Sequence, residues 1–226
     1  MKNKKILLWI LAFLPMLITL IALPTLPNII PAHFGFDGSA DRWGSKYELL
    51  ILPIITPIFI AIMVAIGNYA KKQKNSTAQN EKVLNVVNYI IAIIYNAMTC
   101  YFLYVSFSGL DNLHKTDIDG MRVLGIVLSV SFIFLGNILP KCKQNALIGI
   151  RTKWTLANKT VWYKTHRLGG VIMACFGAVS AILCLTVLSG MSAIFFVSIG
   201  MMIITIPIII YSFVIYKKEV LNEKDI

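Results

Sequence analysis

The residues best able to do chemistry gather in one polar stretch, GNILPKCKQNALIGIRTKWTLANKTVWYKTHR, from Gly136 to Arg167. It holds seven basic residues (Lys141, Lys143, Arg151, Lys153, Lys159, Lys164 and Arg167), two of the chain's four tryptophans (Trp154 and Trp162) and no acid. Asn145, Gly149, Arg151, Thr152, Trp154 and Thr155 fall close together within it. The chemistry such a set offers is recognition. Arginine and tryptophan most often anchor binding interfaces. They equally suit lipid phosphates and the headgroup layer, where Trp154, Trp162 and Tyr163 would settle. Gly149 allows a bend or a close backbone approach, and Thr155 or Asn158 could cap a helix running on from the stretch. Asn137, directly after Gly136, could cap nearby carbonyls, bond a neighbouring helix or brace the loop. Catalysis would need a general base, and His166 is the only candidate nearby.

A second group, His33, Asp37, Asp41, Arg42 and Trp43, lies in the segment 24–48, which is rich in proline and glycine. One histidine with scattered carboxylates has no metal-ligand spacing. A compact turn fits better, with Gly35, Gly38 and Gly44 permitting positive φ and Asp41 pairing locally with Arg42. His114 and His166 have no supporting cluster, and Cys100, Cys142, Cys175 and Cys184 read as small apolar residues with reduced thiols. Walker, HExxH, GxSxG and CxxC patterns are absent. The expectation is a protein without catalytic residues, bound metal or cofactor.

The elements that must position these residues are apolar. The chain is 58% hydrophobic and 14% charged, where a soluble domain carries about 25% charge. The apolar residues come in continuous blocks close to the ~20 residues a helix needs to cross a bilayer. These blocks are Ile6–Leu23, Leu49–Tyr69, Val83–Phe107, Met121–Leu139, Leu168–Leu188 and Ala193–Tyr216. Continuous blocks mean helices, since membrane β-strands alternate. The expectation is an all-α membrane protein with six transmembrane helices, the first retained rather than cleaved as a signal peptide.

Six crossings put both termini on one side, with the 71–82 connector and the 140–167 loop. That side holds 17 of the 21 Lys and Arg residues, leaving Arg42, Lys46, Lys115 and Arg122 opposite. The asymmetry predicts both termini in the cytoplasm. It also accounts for most of the net charge of +11, with anionic lipid headgroups as its partner and no direct contact with nucleic acid. No acid or base falls well inside an apolar block, which argues against an ion-coupled carrier. Asn88, Asn96 and Asn137 could still coordinate a substrate, and Pro53, Pro57 and Pro207 could break helices. A small-molecule or lipid transporter or permease is therefore the alternative.

Two stretches resemble a known family. Gly136–Asn137, Asn145, GIRTKWTL at Gly149–Leu156, Val161–Trp162 and Thr165–Arg167 resemble the signature of the SdpI family of bacterial membrane proteins. LPNIIPAHFGFDGSADRWGSK, within 24–48, resembles the DUF1648 module found at the N-terminus of that family. The resemblance divides the chain into a DUF1648-like module at 1–70, with two helices and an outer loop, and an SdpI-like four-helix region at 83–226 with its cytoplasmic loop at 140–167. It implies a Gram-positive plasma-membrane protein giving immunity to a secreted SdpC-type peptide toxin. It also implies a signal transducer that holds a cytoplasmic autorepressor at the membrane. On this reading Asn137, Asn145, Gly149, Arg151, Thr152, Trp154, Trp162 and Arg167 form the functional inner loop, and His33, Asp41, Arg42 and Trp43 meet the peptide outside. Where the family pattern carries proline between threonine and tryptophan, this chain has Lys153, which frees the local backbone and adds charge.

Overall fold

A computed structural model describes residues 2–35, 37–71, 78–113, 119–145 and 148–224, with side chains for 5–35, 37–69, 78–113, 119–145 and 148–219. Residues 72–77 of the connector, His114, Lys115 and Asp117, and the last residues of the tail lie outside the described residues. The elements run α1 (Lys2–Ala22), β1 (Ile29–Phe34), β2 (Ala40–Ser45), α2 (Ile51–Lys71), α3 (Ala78–Ser108), α4 (Gly120–Ile138), α5 (Lys153–Ala157), α6 (Lys159–Thr186) and α7 (Gly190–Lys224). Among the described residues six helices are long and apolar enough to cross a membrane, as the six blocks predict. Isoleucines, leucines and phenylalanines stay exposed along them, for example Ile21, Leu17 and Phe134. This is the surface of a multi-pass membrane protein, whose solvent at that depth is lipid.

The chain forms two units: residues 1–65, 88–127 and 183–194 in the first, and 66–87, 128–182 and 195–226 in the second. The first holds the segment after α1, which is a β-hairpin rather than the compact turn expected. β1 and β2 pair antiparallel, with Ile29 opposite Ser45, Ile30 opposite Gly44 and Pro31 opposite Trp43 before the register shifts near His33. A two-stranded sheet has only edges, so Pro31 is tolerated in it. The tip turns through Gly38 at φ 73°, with the Ser39 amide donating to Asp37 Oδ1 at 3.1 Å. The tip is tied to the start of the α3–α4 connection, where Ala40 N donates to the Asp111 carbonyl at 2.7 Å and Leu113 N to that of Gly38 at 2.8 Å.

Two further devices hold this unit. Pro15 sits inside α1 and has no N–H to give the Leu11 carbonyl one turn back. Asn96 of α3 supplies the missing donor: its Nδ2 bonds the Leu11 oxygen at 2.8 Å and its own Ala92 oxygen at 2.7 Å. Asp119 caps two helices, accepting from Arg122 N at 2.9 Å and from Gly190 N at 2.6 Å. Arg122 in turn donates to the last carbonyls of α6, from Nε to Cys184 and from Nη2 to Leu185 at 2.6 Å. A cation there also complements the helix dipole.

In the second unit α4 and α6 meet backbone to backbone. A Cβ on Gly136 would come 2.5 Å from the Gly170 carbonyl, one on Gly170 2.6 Å from the Gly136 carbonyl, and one on Gly177 2.6 Å from that of Ser129. Lipid gives helices no hydrophobic reason to associate, so close packing of small residues takes that role.

Asn96→Leu should destabilise the protein by about 1–3 kcal/mol, the cost of a buried carbonyl left without a donor. Pro15→Ala restores the helical donor, so the double variant should recover most of the loss. Unfolding in detergent read by circular dichroism checks both, and a double variant no better than Asn96→Leu would contradict the pairing.

Candidate functional site

The loop between α4 and α6, with the short α5 inside it, is built around His166 and Trp162 on the first turns of α6. Spaced four apart, they share one face of the helix. Both are buried, at 0% and 3% exposed, and their rings stack with centroids 4.0 Å apart. Each fixes a piece of loop backbone. Trp162 Nε1 donates to the Cys142 carbonyl at 2.8 Å. His166 Nε2 accepts from the Ile150 amide at 3.0 Å, and its Nδ1 lies 2.8 Å from the Trp162 carbonyl. Since Nε2 accepts, the proton sits on Nδ1, which donates to that carbonyl, and the ring is neutral. Both nitrogens are committed, which removes His166 as a general base.

Gly149 shows why a glycine stands next to Ile150. Its φ is +107°, and a Cβ there would come within 2.2 Å of His166 Nε2. Any side chain would be strained and would also push the loop off the histidine. Asn145 organises the turn before it. Its Oδ1 accepts from Ile148 N at 2.8 Å and its Nδ2 donates to the Lys143 carbonyl at 2.7 Å. Asn80 of α3 reaches the same turn, accepting from Lys143 N at 2.8 Å. Gln144 Nε2 donates to the Thr155 and Leu156 carbonyls at 2.8 and 3.0 Å, so α5 folds back over the turn.

Thr152 begins α5 with a reciprocal capping box: Thr155 N donates to Thr152 Oγ1 at 3.1 Å, and Thr152 N to Thr155 Oγ1 at 2.9 Å. Asn158 caps α6, its Oδ1 accepting from Thr160 N at 2.8 Å and Val161 N at 3.1 Å. Of the two expected caps, Asn158 serves and Thr155 is instead the third residue of the box. Lys153 occupies the first position of α5, where proline is favoured. Thr152 at φ −98°, ψ 162° already has the backbone that precedes a proline. The departure from the family pattern therefore leaves the local fold unchanged.

The last turns of α7 hold the other side of the loop. Trp154 packs on Phe213 with ring centroids 5.0 Å apart, Thr152 Oγ1 lies 3.2 Å from Ser212 Oγ, and Lys164 Nζ bonds Glu219 Oε1 at 2.6 Å. Arg151, Lys153 and Arg167 stay exposed on the surface of this assembly. The structure thus brings together Asn145, Gly149, Thr152, Trp154 and Trp162. It separates Asn137, whose Nδ2 bonds the Ile133 carbonyl of its own helix at 2.9 Å rather than the loop. Trp162 departs from the headgroup placement expected, because its indole is enclosed by protein, whereas Tyr163 beside it is exposed. Asn80, Cys142, Gln144 and Ser212 take part without having been singled out, and His166, named only as a candidate base, takes part as a loop anchor. The W-x-x-x-H spacing was the one sequence signal for the last.

At the hairpin, His33 Nδ1 lies 2.6 Å from Asp41 Oδ1, and Arg42 turns to Glu48 at 2.9 Å. Asp41 therefore pairs with His33, not with Arg42 as expected: the register sets His33 opposite Arg42, and Asp41 lies at the irregularity next to that pair. Trp43 is exposed on β2. Among the described residues no three His, Cys, Asp or Glu side chains come together as a metal site.

Cys142 reports on the loop's docking. Its side chain is buried, and that burial pushes the thiol pKa up against the opposing hydrogen bond from Asn145. In a chain with Cys100→Ser, Cys175→Ser and Cys184→Ala, maleimide should label Cys142 slowly, with a rate still climbing at alkaline pH where an ordinary thiol has levelled off. His166→Ala removes one hydrogen bond and one stacked ring, together about 1–3 kcal/mol. Labelling should then speed up by roughly tenfold or more. Equal rates in both proteins would mean that His166 does not hold the loop.

Residues 141–212 match the SdpI/YfhL protein family and residues 10–56 match DUF1648, a domain of unknown function. The chain is 24% identical to the immunity protein SdpI of Bacillus subtilis over 181 residues, 80% of this chain and 81% of that protein. It is 51% identical to an uncharacterized protein of Archaeoglobus fulgidus over 41 residues, 18% of this chain and 22% of that one. No solved structure matches the chain. Both resemblances expected from the sequence are thus present: residues 141–212, which carry the docked loop and the helices beneath it, are similar to the SdpI/YfhL family, and residues 10–56 ahead of them to DUF1648.

Proposed function

We propose that this chain is an immunity protein of the plasma membrane that protects its host from a secreted antimicrobial peptide of the SdpC type. The observation that carries this reading is the similarity to the immunity protein SdpI over four-fifths of both chains. Both termini lie in the cytoplasm, a reading supported by the 17 of 21 basic residues that six crossings gather on their side. The hairpin then faces outward and meets the peptide with His33, Asp41, Arg42 and Trp43. The docked loop faces inward.

The loop's chemistry suits binding rather than catalysis, since the histidine that could act as a base is enclosed and bonded at both nitrogens. Its exposed Arg151, Lys153 and Arg167 are free to meet anionic headgroups, or a cytoplasmic autorepressor that the protein sequesters while toxin is bound. The protein works without a cofactor and without touching nucleic acid itself.

The test is survival of a sensitive bacterium exposed to SdpC-type peptide, with and without this chain expressed. Expression should protect, and Arg151→Ala combined with Trp154→Ala should abolish protection at unchanged membrane levels. Death of cells carrying the correctly inserted wild-type chain would remove the immunity reading. Full protection by the double variant would remove the role given to the loop.

A further inference from the structure

One face of the β-hairpin is apolar and, apart from the buried Pro31, uncovered. Residues opposed in an antiparallel pair share a face, and every second residue returns to it. Ile29, Pro31, Trp43 and Ser45 therefore lie on one side of the sheet, and Ile30 and Gly44 on the other. The second side is turned inward, with Ile30 at 1% exposure, whereas Ile29 and Trp43 are exposed at 67% and 49%. Tyr47, just past β2, is exposed at 64%. The ionisable side chains around this face are all engaged elsewhere. His33 is on Asp41 and Arg42 on Glu48, Lys46 Nζ donates to the Leu26 carbonyl at 3.3 Å, and Asp37 accepts from Ser39 N. What remains is an uncharged surface of isoleucine, tryptophan and tyrosine.

We propose that this face lies in the lipid headgroup layer of the adjoining leaflet, so that the hairpin rests on the membrane rather than standing off it. The placement follows from the chain. The first span ends at Thr25 and the second begins at Lys46, so Ile29 is four residues beyond one span and Trp43 three before the other. At ~3.3 Å per residue of strand, Trp43 is at most about 10 Å along the chain from the end of its span. The headgroup layer of one leaflet is roughly 5–8 Å deep, the difference between ~30 Å of hydrocarbon and ~40–45 Å of whole bilayer shared by two leaflets. A strand inclined by roughly 35–60° from the membrane normal keeps Trp43 inside that layer. Tryptophan and tyrosine are the side chains that settle there, since each ring has an apolar body and a polar edge. Just beyond the hairpin in the chain, Ile51, Ile54, Ile55 and Ile58 of α2 are exposed as well. Within the immunity reading Trp43 would meet the peptide from inside the headgroup layer, and the lipid contact itself does not depend on that reading.

The test uses the full chain and its Trp43→Phe variant, each reconstituted in phosphatidylcholine–phosphatidylglycerol vesicles with and without brominated acyl chains. The difference between the two proteins isolates the emission of Trp43. That component should be blue-shifted, should lose most of its intensity in the brominated vesicles, and should resist iodide in the water. A Trp43 component quenched by iodide and untouched by brominated lipid would overturn the proposal. If such a water-exposed component became shielded on addition of a peptide toxin, the face would belong to a protein partner instead, which overturns it equally.

Discussion

The region of this protein that matches the SdpI/YfhL family depends on one neutral histidine placed where the membrane ends. His166 is enclosed, lies flat against Trp162, and joins the Ile150 amide to the carbonyl one turn back in its own helix. A long polar loop beside a bilayer must satisfy its backbone or stay in water. This loop satisfies it with side chains. Trp162, His166, Asn145, Asn80 and Gln144 each take a specific backbone group. Arg151, Lys153 and Arg167 stay exposed at the surface, while Lys164 is tied to Glu219 of α7. Protonating His166 would remove the acceptor that Ile150 uses, so the arrangement requires the neutral ring.

The helices that carry the loop are arranged by the same economy of polar groups. Pro15 frees a carbonyl and Asn96 answers it. Asp119 serves two helix starts and Arg122 one helix end. Gly136, Gly170 and Gly177 let α4 and α6 approach until their backbones touch. In each case a residue type that weakens a soluble helix (proline, glycine, a buried amide) becomes useful, because in lipid the cost of a missing donor or a loose interface is larger than the cost of the residue itself.

Much of this was legible in the sequence, and what was not has physical causes. The six spans follow from length and hydrophobicity, because a bilayer enforces both. Gly149 could be read as a bend and Asn158 as a cap, since those roles are local. The hairpin was hidden because Pro31 and two glycines interrupt its alternation, and because its tip is completed by Asp111 and Leu113, some 70 residues away in the chain. Trp162 was assigned to the headgroups by chemistry that Tyr163 actually follows. One residue along a helix turns a side chain by about 100°, and composition alone cannot choose between neighbours. Asn80 was invisible because it lies in the polar run before the third block, with no local sign that it would meet Lys143.

The central claim is that the loop is docked before any partner arrives, and the amide of Ile150 tests it most directly. Hydrogen exchange of the reconstituted chain, resolved to this residue, should find Ile150 protected as strongly as the helical amides of the first turns of α6. His166→Ala should lower that protection toward the level of the exposed loop backbone. An Ile150 amide that exchanges freely in the wild-type protein would contradict the account, since the loop would then be ordered only by what binds it.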